Sequence, residues 1–137
     1  MEIKHLNPAE THSNPAYSQG VSVPATARFV HVGGQNGIDA AGRIVGKGDI
    51  AAQTSQALGN LSAVLSAGGA KPEDLVSLSV YLVEDADLRV AFGVWAKFWG
   101  NRGRPPMVRL LRVVGLASPD FLIEIEGWAA IVGDTSD

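Results

Sequence analysis

The ten residues from Leu122 to Ile131, Leu-Ile-Glu-Ile-Glu-Gly-Trp-Ala-Ala-Ile, constrain the fold more than any other part of the sequence. Apolar and β-branched residues dominate this run and no proline interrupts it, which predicts a buried strand. Glu124 and Glu126 lie two residues apart and therefore point to the same face of that strand. Because carboxylates are almost never buried without a partner, this face either meets solvent or holds the two acids for a function.

The composition is that of a compact globular protein of 137 residues, and this length predicts one domain covering residues 1–137. Hydrophobic residues make up 46% of the chain and charged residues 18%, which is unlike a disordered protein. The formal net charge of −3 offers no basic field for a phosphate backbone, so we expect no nucleic-acid partner. The chain has no cysteine, no signal-like apolar core and no spanning run, which predicts a cytoplasmic protein without a membrane partner.

Turn-forming residues divide the chain into strand and helix patterns. Strands are predicted at 3–6, 27–34, 75–82, 107–114 and 122–131, with a short extra strand at 43–45. Asp49 can cap a first helix, which the glycines at 68–69 end. Asp85 or Asp87 can cap a second helix, and the tail at 133–137 is expected to fray.

This order of elements predicts an α+β fold with two helices on one face of a sheet of about five strands. Two helices cannot cover both faces of such a sheet, and the other face also carries apolar residues. We therefore expect a second copy of the chain to cover it.

The histidines could suggest a metal site and the glycines after residue 32 a phosphate-binding loop, but their spacing supports neither. His5, His12 and His31 show no metal-ligand spacing, so we expect structural or surface roles and no metal site. The glycines between Gly33 and Gly37 lack the lysine and hydroxyl residue of a phosphate-binding loop, and no helix pattern follows directly. A turn that requires positive φ values is the better explanation for them.

Arginines and an acid could together support acid–base chemistry on a bound carboxylate, and the candidates are Arg104, Arg109, Arg112 and Glu124. An arginine can bind a carboxylate through two parallel hydrogen bonds while a neighbouring glutamate activates a water. The alternative is that Arg109 or Arg112 neutralises Glu124 or Glu126 across neighbouring antiparallel strands. Residue types alone favour the alternative, since structural ion pairs occupy such positions too.

The ordered set of segments along the chain is more specific than any single motif. The segments are 17–21, 29–35, 48–54, 57–61, 80–83, 105–106 and 122–126. In order and spacing they resemble the RidA/YjgF family, also catalogued as liver perchloric-acid-soluble protein or L-PSP endoribonuclease. The resemblance covers roughly residues 15 to 131, nearly the whole chain.

The resemblance implies a chorismate-mutase-like α+β fold with a mixed sheet, assembled as a homotrimer with ligand clefts between subunits. It also implies hydrolysis of reactive enamines and imines to keto acids and ammonia, without a metal or cofactor. The implied partners are a small-molecule ligand or substrate and further copies of the chain, with no nucleic acid.

Individual site residues follow the family only in part. Tyr17 matches the family's cleft tyrosine, and Glu124 matches the acid that activates water there. Gly33 stands where the family has a serine, in the turn that also contains Gln35. Phe92 stands where a polar helix residue lines the family's cleft, which predicts a more apolar site and a divergent branch.

The family's substrate-clamping arginine has two possible counterparts. Anchoring on the proline pair at 105–106 places Val108 there, whereas counting back from Glu124 without gaps places Arg109 there. The first alignment needs only one extra residue in a turn, where insertions are tolerated. Neighbouring strand residues also face opposite sides, so Arg109 cannot replace its neighbour without a bulge. We therefore predict a site with Val108 and no carboxylate clamp.

Three functions fit this sequence. The first is a deaminase of iminobutanoate or iminopropanoate, which requires Arg109 in the arginine's role. The second is a divergent enzyme on an uncharged or aromatic small molecule, with Glu124 as general acid or base. The third is a non-catalytic metabolite-binding trimer. Ribonuclease activity is a weaker fourth, because the chain is acidic and has no basic groove.

Overall fold

The computed structural model describes residues 2–133 and contains every long strand and both helices predicted above. Its elements are β1 (Lys4–Leu6), β2 (Gly20–Ser22), β3 (Arg28–Gln35), α1 (Ile50–Ala67), β4 (Leu75–Val83), α2 (Leu88–Trp99), β5 (Met107–Val113) and β6 (Ile123–Ile131). The strand predicted at 43–45 is wrong, because that loop forms an isolated bridge between Ile38 and Ile44 instead. The expectation of a frayed tail concerns residues 134–137, which lie outside the described residues.

β3, β6, β4 and β5 form one sheet in that order, and β1 pairs with β2 in a separate antiparallel ribbon. β6 runs antiparallel to both of its neighbours, whereas β5 runs parallel to β4. A parallel pair needs a crossover connection, and α2 supplies it. The sheet is therefore mixed, and β4 separates β5 from β6.

Both helices begin at an aspartate that accepts a hydrogen bond from the first turn. The Asp49 carboxylate accepts from the Ala52 backbone N–H at 3.1 Å. Of the two caps predicted for α2, Asp87 is the one used, and it accepts from the Arg89 N–H at 2.9 Å. Such a cap stabilises a helix by about 1 kcal/mol relative to alanine.

The two faces of the sheet have different surroundings. On one face, Ile123, Ile125 and Ala129 of β6 are buried beneath the helices. On the other face, the alternating residues Glu124 and Glu126 are only half-buried within this chain. The prediction of two helices covering one face is confirmed, and the other face is here called the helix-free face.

Candidate functional site

A cavity of about 590 Å³ lies between α2, the sheet and the segment that contains Tyr17. Its volume falls in the range of small-molecule sites, about 300–1,000 Å³. The floor is apolar and comes from three strands: Leu78, Val80, Val108, Leu110, Ile123 and Ile125. A carboxylate placed on this floor would lose its hydration and gain no cationic partner there.

Three side chains with access to solvent stand at the edge of this cavity. Phe92 on α2 is 48% exposed although it lines the cavity, so its ring is available to a ligand. Arg89 also lines the cavity, but its side chain is 93% exposed and its Nε lies 3.7 Å from Asp87. Tyr17 is the third of these residues, and its phenol lines the cavity.

Tyr17 is held in place through its neighbour Ser18. The Ser18 hydroxyl donates to the Pro105 carbonyl at 2.6 Å, and its backbone N–H donates to the Pro106 carbonyl at 3.0 Å. His5 Nδ1 lies 2.8 Å from the same hydroxyl. Burial lowers the pKa of His5, and the nearby positive charge of Arg104 lowers it further. This chain of contacts fixes the N-terminal segment to the two prolines that precede β5.

Glu124 lies on the opposite side of the sheet from this cavity. Its carboxylate contacts Gly34, and a Cβ atom at Gly34 would collide with it. Asn36 Nδ2 donates to the Ile123 carbonyl at 3.0 Å and lies 3.4 Å from Glu124 Oε1. Asn60 on α1 in turn donates to the Asn36 carbonyl at 3.1 Å. The acid is therefore positioned by a glycine and by an amide.

The positive φ values expected for the glycines near the end of β3 are absent. Gly33 and Gly34 form a bulge opposite Glu126 in the pairing of β3 with β6, and neither has a positive φ. Gly37 also has an ordinary φ, and a Cβ there would meet Gln53. Gly34 and Gly37 are thus required for space and not for backbone conformation, which a sequence pattern does not distinguish.

The proposed ion pairs between β5 and β6 are wrong. β4 separates the two strands, and no salt bridge joins Arg109 or Arg112 to either glutamate among residues 2–133. Arg112 Nη1 instead donates to the backbone carbonyls of Glu84 and Ala86, at 3.0 and 2.8 Å, in the turn before α2.

Arg109 lies on the helix-free face, because it alternates with Val108 and Leu110 of the cavity floor. Tyr81 of β4 shares that face and donates its O–H to Glu126 at 3.2 Å. This hydrogen bond raises the pKa of Tyr81, while the positive charge of Arg109 opposes the rise.

The residues predicted for the site therefore form two groups. Tyr17, Phe92 and Val108 meet at the cavity on the helix-covered side. Gly33, Arg109 and Glu124 lie with the helix-free face, and Gln35 ends β3 with its amide donating to the Gly33 carbonyl at 3.2 Å. Within one chain the sheet separates Glu124 from the cavity.

Sequence reasoning missed Leu110 of the floor, Asn36 beside Glu124, and His12, whose Nε2 lies 2.7 Å from the Tyr17 hydroxyl. These contacts join distant or irregular segments, so no periodic pattern signals them. Among the described residues, no cluster of His, Cys, Asp and Glu could hold a metal ion. Neither helix in residues 2–133 has the continuous apolar length that a membrane-spanning segment requires.

Known proteins with related sequences and structures match almost the whole chain. The sequence model of the endoribonuclease L-PSP family matches residues 8–131. A RutC family protein of Pyrococcus horikoshii is 34% identical over 113 residues, which are 82% of this chain and 85% of the relative. The 3-aminoacrylate deaminase RutC of Acinetobacter baylyi is 34% identical over 111 residues, 80% of this chain and 86% of that protein.

The fold agrees with these matches. The crystal structure of a Rid family protein from Yersinia pestis, of unknown function, has a TM-score of 0.83 and 34% identity. The two structures match over 96% of this chain and 100% of that one. The predicted fold class, an α+β fold of the RidA/YjgF type, is confirmed. This chain belongs to the endoribonuclease L-PSP family, within the RidA/YjgF superfamily.

Proposed function

We propose that this protein is a hydrolase of reactive enamines or imines, which it converts to a carbonyl compound and ammonia in clefts between the copies of a homotrimer. One observation carries the proposal: the matched family residues divide into two incomplete groups on opposite sides of one sheet. The cavity has an apolar floor without an acid, and Glu124 does not line it. A cleft between copies joins Glu124 of one copy to the cavity of the next.

The chemistry of such a cleft needs only protein groups and water. Glu124 accepts a proton from water while the water oxygen forms a bond to the imine carbon. The electron pair of the C=N bond moves to nitrogen, which takes a proton from Tyr17. In the second step Glu124 returns its proton to nitrogen, the C–N bond breaks, and the hydroxyl proton goes back to Tyr17. The balance is one imine and one water consumed, one carbonyl compound and one ammonia released.

The substrate body is apolar, and it carries no carboxylate on the cavity floor. Val108 and Leu110 line this floor, and neither side chain can serve as a carboxylate clamp. Losing the charged hydrogen bonds of that clamp costs about 1.5–3 kcal/mol of binding to a carboxylated substrate. Phe92 and the aliphatic floor instead favour an aromatic or aliphatic group.

A second candidate is a deaminase of small imino acids, and two observations favour it. Arg109 lies on the same face of the sheet as Glu124, and a 34% identical relative is named 3-aminoacrylate deaminase. In this version Arg109 binds the carboxylate, and the apolar cavity is not used for substrate. A non-catalytic metabolite-binding trimer would use the cavity without chemistry.

A matched pair of imines separates these functions. An L-amino-acid oxidase makes the imine of phenylpyruvate from phenylalanine, and a flavin monoamine oxidase makes phenylacetaldimine from phenylethylamine. The two products differ only in the carboxylate. With catalase present, ammonia release is followed by stopped-flow with a coupled glutamate dehydrogenase.

The proposal predicts that the protein accelerates hydrolysis of the uncharged imine more than that of the carboxylated one. Glu124→Gln removes the acceleration and leaves the oligomer intact. Preference for the carboxylated imine that depends on Arg109 would favour the imino-acid deaminase. Binding of the uncharged product analogue without any acceleration would identify a binding protein.

A further inference from the structure

We propose that His12 is the proton-relay partner of Tyr17, to which it gives a proton and from which it takes one back in each reaction cycle. This inference rests on the hydrolysis proposed above and adds a residue to it. No family position suggested His12, and sequence spacing favoured a surface or structural role.

The contact between the two side chains is short and direct. His12 Nε2 lies 2.7 Å from the Tyr17 hydroxyl, within the range of a strong hydrogen bond. The two rings meet edge to face with centroids 6.0 Å apart. Tyr17 lines the cavity, whereas His12 is exposed to solvent. The pair therefore links a side chain that lines the cavity to one that is exposed to bulk water.

The loop that carries His12 is fixed by its own hydrogen bonds. The Gln19 side-chain amide donates to the His12 carbonyl at 2.9 Å. The Gln19 backbone N–H donates to Asn7 Oδ1 at 2.9 Å, and the Ala16 N–H donates to Asn14 Oδ1 at 2.8 Å. These bonds hold the backbone on both sides of Tyr17 and keep the imidazole close to the phenol.

The reaction requires this pair to donate a proton in the first step and to accept one in the second. In the first step, protonated His12 gives a proton to the Tyr17 oxygen as Tyr17 gives its own proton to the imine nitrogen. In the second step, Tyr17 takes the hydroxyl proton of the addition product and passes a proton back to His12. A histidine suits both tasks because its imidazole can donate a proton in one state and accept one in the other. The cycle ends with both groups in their starting states.

Two variants separate a relay from a merely positioning contact. His12→Ala removes the imidazole, and His12→Gln keeps a hydrogen-bond acceptor for Tyr17 but cannot carry a proton. Hydrolysis of phenylacetaldimine by the intact oligomer is measured for each variant. Exposed Ser13, next to His12 in the chain, provides the control variant Ser13→Ala.

The relay predicts that kcat falls roughly a hundredfold in both His12 variants while KM changes less than twofold. Added imidazole restores kcat of His12→Ala in proportion to its concentration, but does not restore Tyr17→Phe. Ser13→Ala keeps the wild-type kcat. A wild-type kcat in His12→Gln would contradict the relay but not the proposed hydrolysis, because the reaction would then proceed normally without His12. A wild-type protein without any acceleration overturns the hydrolysis and the relay together.

Discussion

The Glu124 carboxylate lies directly against Gly34, in the space that the Cβ of any other residue would occupy. Gly34→Ala therefore displaces the carboxylate, whose long side chain can move away without disturbing the backbone. We expect a folded protein whose hydrolysis rate falls roughly a hundredfold, as for a reacting group displaced by about 1 Å. Stopped-flow ammonia release with phenylacetaldimine measures the loss.

Gly33→Ala is the matched stability control, because a Cβ at Gly33 meets nothing within 4 Å. Thermal unfolding of the two variants should give midpoints within a few degrees of each other, corresponding to less than about 1 kcal/mol. A Gly34→Ala protein with the wild-type rate would mean that the position of Glu124 does not matter for the reaction.

Val108→Arg restores a guanidinium on the cavity floor. The new charged hydrogen bonds are worth about 1.5–3 kcal/mol to a carboxylated imine, which corresponds to roughly ten- to a hundredfold in relative rate. We expect the ratio of kcat/KM for the carboxylated and uncharged imines to rise by that factor. Val108→Leu keeps the floor apolar and should leave the ratio unchanged. An unchanged ratio in Val108→Arg would place substrate outside this cavity.

Phe92→Ala should weaken the binding of an aromatic ligand without weakening the fold. The ring is 48% exposed, so its loss creates no buried void. A lost aromatic contact of about 0.5–1.5 kcal/mol raises Kd roughly two- to tenfold. Calorimetry with phenylpropanamide, an unreactive uncharged analogue, checks this value. Val90→Ala on the same helix is the control, since Val90 is 38% exposed and does not line the cavity. Equal effects of both substitutions would contradict the assignment.

Acid should loosen the attachment of the N-terminal segment at His5. Burial, aided by the positive charge of Arg104, lowers the pKa of His5 in the folded protein below its ordinary value of 6.5. The folded state then binds this proton less tightly than the unfolded state does. Neutral His5 therefore contributes its full stabilisation of the fold above pH 6.5, and this stabilisation is lost as pH falls through the pKa of His5 in the folded protein. Urea unfolding across this range should give a smaller loss of stability below pH 6.5 for His5→Gln than for wild type. Parallel curves would exclude His5 as a source of the pH dependence.

Local chemistry was sufficient to predict both helices and the long strands. Asp49 and Asp87 mark the helix starts because an N-cap depends only on the next three residues. The alternation of Ile123 and Ile125 with Glu124 predicted the two-sided strand for the same reason. Strand neighbours depend on distant segments instead, so the sequence wrongly suggested that Arg109 and Glu124 sit on adjacent strands.

The candidate site residues were expected from the resemblance to the RidA/YjgF family, and residue type alone did not indicate them. Tyr17, Phe92 and Val108 were expected together and do line one cavity. The space at Gly34 and the contact of His12 with Tyr17 depend on how separate segments meet, and no spacing rule encodes either. The position of Glu124 across the sheet from that cavity could not be predicted either, because the pattern of one strand does not show which elements pack against each of its faces.

In the proposed trimer, each site takes Tyr17 from one copy and Glu124 from the next. Chains carrying Tyr17→Phe and chains carrying Glu124→Gln are each expected to be inactive alone. When equal amounts are unfolded and refolded together, random assembly of a closed ring gives about one quarter of the clefts both intact groups. Phenylacetaldimine hydrolysis should then recover to about one quarter of the wild-type rate. If both groups instead act within a single chain, the mixture will stay as inactive as the separate variants, and the shared site is contradicted.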